Sequence, residues 1–130
     1  MSLKIRRNLM MLNSFLLVGA GGALGSMLRY GLSVLIGARP FPYATFSANI
    51  LGCFVIGILF GLGLKHSVSA YSWKFLGIGI CGGFTTFSAF SLESIEFLQQ
   101  ERFSAFFLYM LLSITFGCFA TYVGYLIVKS

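Results

Sequence analysis

Residues 82–91 read Gly-Gly-Phe-Thr-Thr-Phe-Ser-Ala-Phe-Ser and lie inside an apolar segment that runs from about Trp73 to Leu98. This segment exceeds the roughly 20 mostly apolar residues that a membrane-spanning helix needs. Each glycine weakens a helix by about 1 kcal/mol relative to alanine, and threonine hydroxyls compete for backbone carbonyls. We therefore predict a helix broken at mid-membrane. Lipid permits such a break only where protein or a polar cavity surrounds the freed backbone groups.

Three more apolar segments accompany this one, and each is long enough to span a bilayer. They run from about Leu9 to Ile36, Phe41 to Leu64 and Phe103 to Val128. The breaks between the segments contain both prolines or charged residues, and they are too short to hold a separate domain. The sequence therefore predicts an all-α integral membrane protein: one domain over residues 1–130 with four transmembrane helices, the third of them broken.

The composition supports a lipid-embedded chain and excludes several classes of protein. The sequence is 58% hydrophobic and only 9% charged, whereas soluble domains are about 25% charged. An ordinary soluble enzyme, a DNA-binding domain and a disordered chain are therefore excluded. The net charge is +6, but the basic residues lie mostly where apolar segments end, which is the membrane pattern. We therefore expect the protein to have a lipid bilayer, and no nucleic acid, as its partner.

Small residues at a spacing of four let helix backbones approach closely in lipid. This spacing is found three times, at Gly21 and Gly25, Gly57 and Gly61, and Gly79 and Gly83. General helix packing explains such pairs, and their number also favours a tight dimer over a lone bundle.

Polar groups inside the apolar segments are candidates for function, because burying them in hydrocarbon costs free energy. Asn49 lies near the middle of the second segment and could form an interhelical hydrogen bond or line a polar path. Phe87 and Phe90 share a face if the helix resumes after the break, either as core residues or as ligand contacts. Tyr109 and Ser113 align on the fourth segment, either as a hydroxyl track or as helix contacts.

Two charged residues also lie within the apolar segments. Arg29 is well inside the first one, and its side chain could extend to the membrane boundary. Glu93 is closer to the polar cluster than Glu96, which we interpret as a solvated end charge.

The remaining lining candidates are neutral amide and hydroxyl donors and aromatic rings, whose edges carry partial positive charge. This inventory favours a small anion over a cation, because cation pores tend to use acidic or carbonyl rings.

Three motifs follow one another in the chain. They are Gly21-Gly22-x-x-Gly25-x-x-x-Arg29-Tyr30, Thr45-x-x-x-Asn49-x-x-Gly52-x-Phe54-x-x-Gly57, and Gly82-Gly83-Phe84-Thr85-Thr86-Phe87-Ser88-Ala89-Phe90-Ser91-x-Glu93. At these residues, over about residues 10–128, the sequence resembles the fluoride channel family (Fluc, also called CrcB). The resemblance implies a fluoride channel in the plasma membrane of a prokaryote, which lets fluoride leave the cell passively.

The same resemblance implies an assembly and a set of site residues. The assembly is a dual-topology homodimer, with two subunits in opposite orientations and two fluoride pores along their interface. A structural sodium ion (Na+) is expected at the dimer centre, held by the backbone carbonyls of Gly82 and Thr85 of each subunit. The implied pore residues are Asn49, Phe87, Phe90, Ser88, Tyr109 and Ser113. The chain departs from the family at Ala89, Ala44 and Gly117, which alters the pattern of pore donors.

Three alternative functions are a transporter, a non-conducting subunit and an enzyme. A proton-coupled small multidrug transporter also has four spans and dual topology, but its chemistry needs a carboxylate in the membrane, usually in the first helix. No Asp or Glu precedes Glu93. A non-conducting helper subunit is compatible with the composition. An enzyme is disfavoured, because no set of acid, base and nucleophile converges and no phosphate-binding G-x-x-x-x-G-K-[ST] motif is present.

Basic residues are unevenly divided between the two presumed sides of the membrane. If both termini share a side, six of them lie there and three lie opposite: Lys4, Arg6, Arg7, Lys65, Lys74 and Lys129 against Arg29, Arg39 and Arg102. This excess favours one orientation by the positive-inside rule. Without residues 1–9 the count is three against three, so the bias depends on the basic leader.

Overall fold

The computed structural model describes residues 2–129; Met1 and Ser130, which belong to the predicted domain of residues 1–130, lie outside the described residues. The described chain is helical, with turns and no strand, and four of its helical stretches are long and apolar enough to cross a membrane. The predicted all-α membrane fold is confirmed. The elements are α1 (Leu3–Ile36), α2 (Tyr43–Leu64), α3 (Ala70–Ser72), the π-helix π1 (Trp73–Cys81), α4 (Gly82–Phe84), α5 (Phe87–Gln99) and α6 (Phe103–Lys129).

Helix α1 is longer than its predicted apolar segment. It begins at Leu3, where the Ser2 side chain accepts a hydrogen bond from the Lys4 amide. It ends at Gly37, whose φ of 67° is accessible to glycine at little cost. Its 34 residues correspond to about 51 Å at 1.5 Å per residue. Because a hydrocarbon core is about 30 Å thick, α1 extends beyond it.

The third span, Ala70–Gln99, is broken at Thr85 and Thr86. Both residues adopt extended backbone conformations, with φ/ψ of −80°/154° and −151°/120°. The break lies inside the predicted stretch, but Gly82 and Gly83 themselves remain helical in α4. The π-helix that precedes α4 was not predicted, because hydrophobic spacing does not distinguish it from an α-helix.

Glycines bring the helices together within the subunit. A Cβ atom at Gly57 would collide with the Thr121 carbonyl, so α2 and α6 touch backbone to backbone. A Cβ at Gly21 would meet the Phe75 carbonyl, and this contact joins α1 to π1. The glycine pairs therefore act in general packing inside the bundle, and they are not themselves evidence for a dimer.

Few large side chains are buried in the single subunit, and one aromatic cluster dominates them. Phe90, Phe97 and Tyr109 form this cluster, and Tyr109 is completely buried. Many other apolar side chains, such as Phe15 and Phe87, point outward. In a membrane protein these outward faces contact lipid or another protein.

The glycine contacts predict how stability responds to a single methyl group. Gly57→Ala should lower the free energy of unfolding by about 1–3 kcal/mol, because the new methyl has no space beside the Thr121 carbonyl. Gly63→Ala on the same helix is the control, since a Cβ there meets no atom within 4 Å. Thermal unfolding of the two variants in detergent measures the difference. Equal stability would contradict the backbone contact between α2 and α6.

Candidate ion-binding site at the helix break

The Asn49 side chain holds the break in the third span. Its Nδ2 donates to the Thr86 carbonyl at 3.1 Å, and the Thr86 amide donates to its Oδ1 at 2.8 Å. The carboxamide thereby pairs with both backbone groups of one residue, as a neighbouring peptide would. Of the two roles considered for Asn49, the interhelical hydrogen bond is present, and it links α2 to the break.

Thr86 also starts the helix that follows the break. Its Oγ1 accepts a hydrogen bond from the Ala89 amide at 3.2 Å and lies 3.1 Å from the Ser88 hydroxyl. A threonine at this position stabilises a helix start by satisfying an amide that has no helical partner. The positive end of the α5 dipole therefore lies within the membrane-spanning segment, where an anion is favoured.

The break removes helical donors from several carbonyls before it. Each amide of an α-helix donates to the carbonyl four residues earlier. Here the Thr86 amide bonds Asn49 instead of the Gly82 carbonyl, and the Ala89 amide bonds Thr86 instead of the Thr85 carbonyl. The carbonyls of Gly82 and Thr85, which the resemblance gives as sodium ligands, are among those freed.

Arg29 also contacts the region of the break. Its Nε donates to the Gly83 carbonyl at 3.3 Å, and the Ser26 hydroxyl donates to the same oxygen at 3.4 Å. The Arg29 side chain thus packs against the region of the break, and its position relative to the membrane boundary stays a prediction. The Arg29 guanidinium, on the neighbouring helix α1, therefore places a positive charge beside the end of α4. The sequence offered no signal for this contact, because it depends on how α1 packs against α4.

An open cavity of about 450 Å³ adjoins the break. Four of the six predicted pore residues line it, namely Asn49, Phe87, Phe90 and Ser113, together with Gly82, Thr85, Thr86 and Gly117. The Ser113 Oγ is buried and has no hydrogen-bond partner within residues 2–129. A buried hydroxyl without a partner is costly, so Ser113 offers a hydrogen bond to whatever enters the cavity.

Phe87 and Phe90 differ in their surroundings although both line the cavity. Their ring centroids lie 5.6 Å apart with an angle of 44° between the planes. Phe87 is 78% exposed, whereas Phe90 is 8% exposed and packs on Tyr109 with centroids 5.0 Å apart. Phe90 is thus both a core residue and a cavity wall, while Phe87 lies open on the subunit surface.

The remaining predicted residues lie beside the cavity rather than on its wall. Tyr109 donates to Glu93 Oε2 at 2.7 Å, and Thr45 donates to the other oxygen of the same carboxylate. Ser88 is exposed on the first turn of α5. Thr45 begins the second motif, but its sequence position alone did not indicate a contact with Glu93. Glu93 is held by two hydroxyl donors and is not a solvated end charge.

These groups define what the site can bind. A small anion would find the Ser113 hydroxyl, the start of α5 and the edges of two phenylalanine rings, all of which present positive charge. A cation would find the freed carbonyls of Gly82 and Thr85. The backbone donors are on the α5 side of the break and the backbone acceptors are on its α4 side, because interrupting a helix frees both kinds of group.

Comparison with known proteins adds a second line of evidence. Residues 16–125 match the model of the family described as CrcB-like protein, Camphor Resistance (CrcB). A protein of Flavobacterium psychrophilum named fluoride-specific ion channel FluC is 47% identical over 116 residues, which cover 86% of this chain and 94% of that relative. A protein of the same name from Azobacteroides pseudotrichonymphae is 45% identical over 123 residues, covering 92% and 98%. Another from Thermus thermophilus is 44% identical over 115 residues, covering 85% and 91%.

The pairing of Asn49 with Thr86 predicts a local change in dynamics. Asn49→Leu removes both hydrogen bonds, so amides in residues 84–89 should exchange with solvent deuterium about tenfold faster, as expected for a loss of about 1.4 kcal/mol. Ser47→Ala, two residues earlier on α2, is the control and should exchange as the unmodified protein does. Hydrogen exchange with mass spectrometry measures both. Unchanged exchange in Asn49→Leu would mean that the carboxamide does not hold the break.

Proposed function

The chain belongs to the CrcB family, and from that premise we propose that it is a fluoride-specific ion channel through which fluoride leaves the cell passively. The relatives named above are ion channels, and the family is not one of enzymes. Hydrogen fluoride enters cells as a neutral acid and dissociates inside. A path for the anion in the plasma membrane of a prokaryote, the cell inner membrane, would lower cytoplasmic fluoride and its toxicity.

The observation that carries this proposal is the cavity at the break. Ser113 offers it an unpaired hydroxyl, and Phe87 and Phe90 face it with their rings. Fluoride is small and accepts hydrogen bonds strongly, so donors and ring edges can replace its water at close range. Acidic side chains are absent from the cavity wall within the described residues, and this suits an anion.

The pore continues, in this proposal, from the cavity along the aromatic cluster. Fluoride passes Phe87 and then Phe90, whose ring packs on Tyr109. The Tyr109 hydroxyl and Thr45 lie beyond Phe90, where the Glu93 carboxylate holds both of them. Ser88 supplies a further hydroxyl at the start of α5. Rings and hydroxyls along one line support a path for a single small anion.

We further propose that two copies assemble as an antiparallel homodimer. Gly82 and Phe87, on either side of the break, are exposed on the surface of one subunit, and Thr85 and Thr86 between them are half-buried. Freed backbone groups are tolerated at membrane depth only inside protein or beside a polar cavity, and a second copy would supply the protein surface that the single subunit lacks there. A second copy in the opposite orientation brings the two breaks together and lines a pore on each side of the contact.

A structural sodium ion fits the carbonyls at this contact. The Gly82 and Thr85 oxygens lack their helical donors, and backbone carbonyls are hard ligands suited to such a cation. Two copies would contribute four oxygens. When bound, sodium supplies a positive charge that offsets the carbonyl dipoles where the subunits meet. A Cβ at Gly82 would meet no atom of its own subunit within 4 Å, so the surface there is open to another chain.

The function is tested by ion flux from liposomes. Purified protein should release fluoride rapidly without an imposed pH gradient, and it should release little chloride, because the proposed pore solvates the ion with neutral donors at close range. An ion-selective electrode measures both anions. Fluoride release that stalls until a pH gradient is applied would favour a proton-coupled transporter, for which Glu93 is the available carboxylate. No release would favour a non-conducting subunit.

Substitution of the phenylalanines separates ion contact from packing. Phe87→Ile keeps most of the apolar bulk but removes the ring edge, so fluoride flux should fall about tenfold or more, which corresponds to about 1.4 kcal/mol, while the purified protein keeps its oligomeric state. Phe90→Ile should reduce flux similarly and should also lower stability, because Phe90 is packed in the core.

Phe84→Ile is the matched control for this pair. Phe84 lines a different cavity, between α1 and α2, with Leu28 and Leu51. Its substitution should change flux less than that of Phe87. Equal losses of flux at Phe84, Phe87 and Phe90, with parallel losses of assembly, would show that packing explains all three.

A further inference from the structure

A groove between α1 and π1 combines an apolar wall with two positive charges. Its lining residues are Arg7, Met10, Met11, Ser14, Phe15, Val18, Lys74 and Ile78. From this combination we propose that the groove is a binding site for an anionic phospholipid, with the phosphate near Arg7 and Lys74 and an acyl chain along the apolar wall. The site is separate from the cavity at the break and shares no lining residue with it.

The groove has the length and polarity of a lipid site. The residues that α1 contributes follow spacings of three and four, so they form one face of the helix. This face extends from Arg7 to Val18, about 16 Å at 1.5 Å per residue. Arg7 is at one end of this face, and Lys74 contacts it at Ser14, about 10 Å further along. Met11 and Phe15 are exposed. The volume is about 500 Å³. A free phosphate ion would leave that apolar wall uncovered, whereas a phospholipid covers it.

The position of Lys74 places the groove at one boundary of the membrane. Lys74 lies near the start of the third span, next to Trp73 and above the Tyr71 ring at 5.8 Å. Trp and Tyr are enriched at the level of lipid headgroups. The Lys74 ammonium donates one hydrogen bond to Ser14 at 2.7 Å. Two of its three N–H groups remain for a phosphate.

Charge complementarity selects an anionic lipid as the occupant. All three acidic residues of the chain, Glu93, Glu96 and Glu101, lie in the second half of the third span or just after it. The groove adjoins the opposite end of that span, so no side-chain carboxylate within residues 2–129 opposes its two cations. A basic side chain near a membrane surface contributes about 1 kcal/mol to the binding of anionic lipid, roughly fivefold in affinity. Two such side chains therefore give a preference of roughly 25-fold.

The single tryptophan of the chain provides the readout. The full-length protein is reconstituted in phosphatidylcholine bilayers that contain either brominated phosphatidylglycerol or brominated phosphatidylcholine, and bromine quenches the fluorescence of Trp73. We expect stronger quenching by phosphatidylglycerol at equal mole fraction. The double variant Arg7→Gln, Lys74→Gln should lose most of that preference.

A matched variant separates the groove from diffuse surface charge. Arg6→Gln, Lys65→Gln loses the same net charge, but neither residue lines the groove, so its preference should be kept. Absence of a preference in the unmodified protein would overturn the proposal, as would equal losses in both variants. Dissociation of the groove variant in pure phosphatidylcholine would also overturn it, since the groove would then be covered by a second copy of the chain.

Discussion

Backbone groups freed inside a membrane must find partners within the protein, and this requirement governs the arrangement around Thr85 and Thr86. The Asn49 carboxamide pairs with both backbone groups of Thr86, and the Thr86 hydroxyl starts α5. Arg29 reaches the carbonyl of Gly83 from α1. Three spans thus converge on one short interruption. The carbonyls of Gly82 and Thr85 are still without their helical donors, and the proposed dimer rests on this.

An interrupted helix exposes both backbone donors and backbone acceptors within a short stretch, and both proposed ion sites rest on this property. The start of α5 lines the cavity together with the phenylalanine rings and the Ser113 hydroxyl, which has no partner within residues 2–129. The end of α4 presents carbonyl oxygens. The proposed fluoride path and the proposed sodium site would therefore both follow from one structural feature. The polar side chains needed are few, which is why a chain with 9% charged residues can form the site.

The features that could be predicted from the sequence are those that local chemistry determines. Apolar length predicted four spanning helices, and the Gly-Gly-Phe-Thr-Thr stretch predicted the interruption, although the helix opens at the threonines rather than at the glycines. Features that depend on packing between distant segments could not be predicted from the sequence. The contact of Arg29 with Gly83 spans 54 residues, and that of Thr45 with Glu93 spans 48. The π-helix over 73–81 likewise has no counterpart in hydrophobic spacing. The prediction that Tyr109 and Ser88 line the pore came from family resemblance, because residue types alone left their roles open.

The central claim is that the open breaks of two copies meet, and a crosslink tests it most directly. Gly82→Cys, in a background with Cys53→Ala, Cys81→Ala and Cys118→Ala, places a thiol where a Cβ meets no atom of its own subunit within 4 Å. The account predicts that mild oxidation in the membrane converts this variant to a disulfide-linked dimer. The same background with Tyr122→Cys, on the exposed surface of α6, serves as the comparison. A Gly82→Cys protein that stays monomeric on denaturing gels while the Tyr122→Cys protein becomes linked would contradict it.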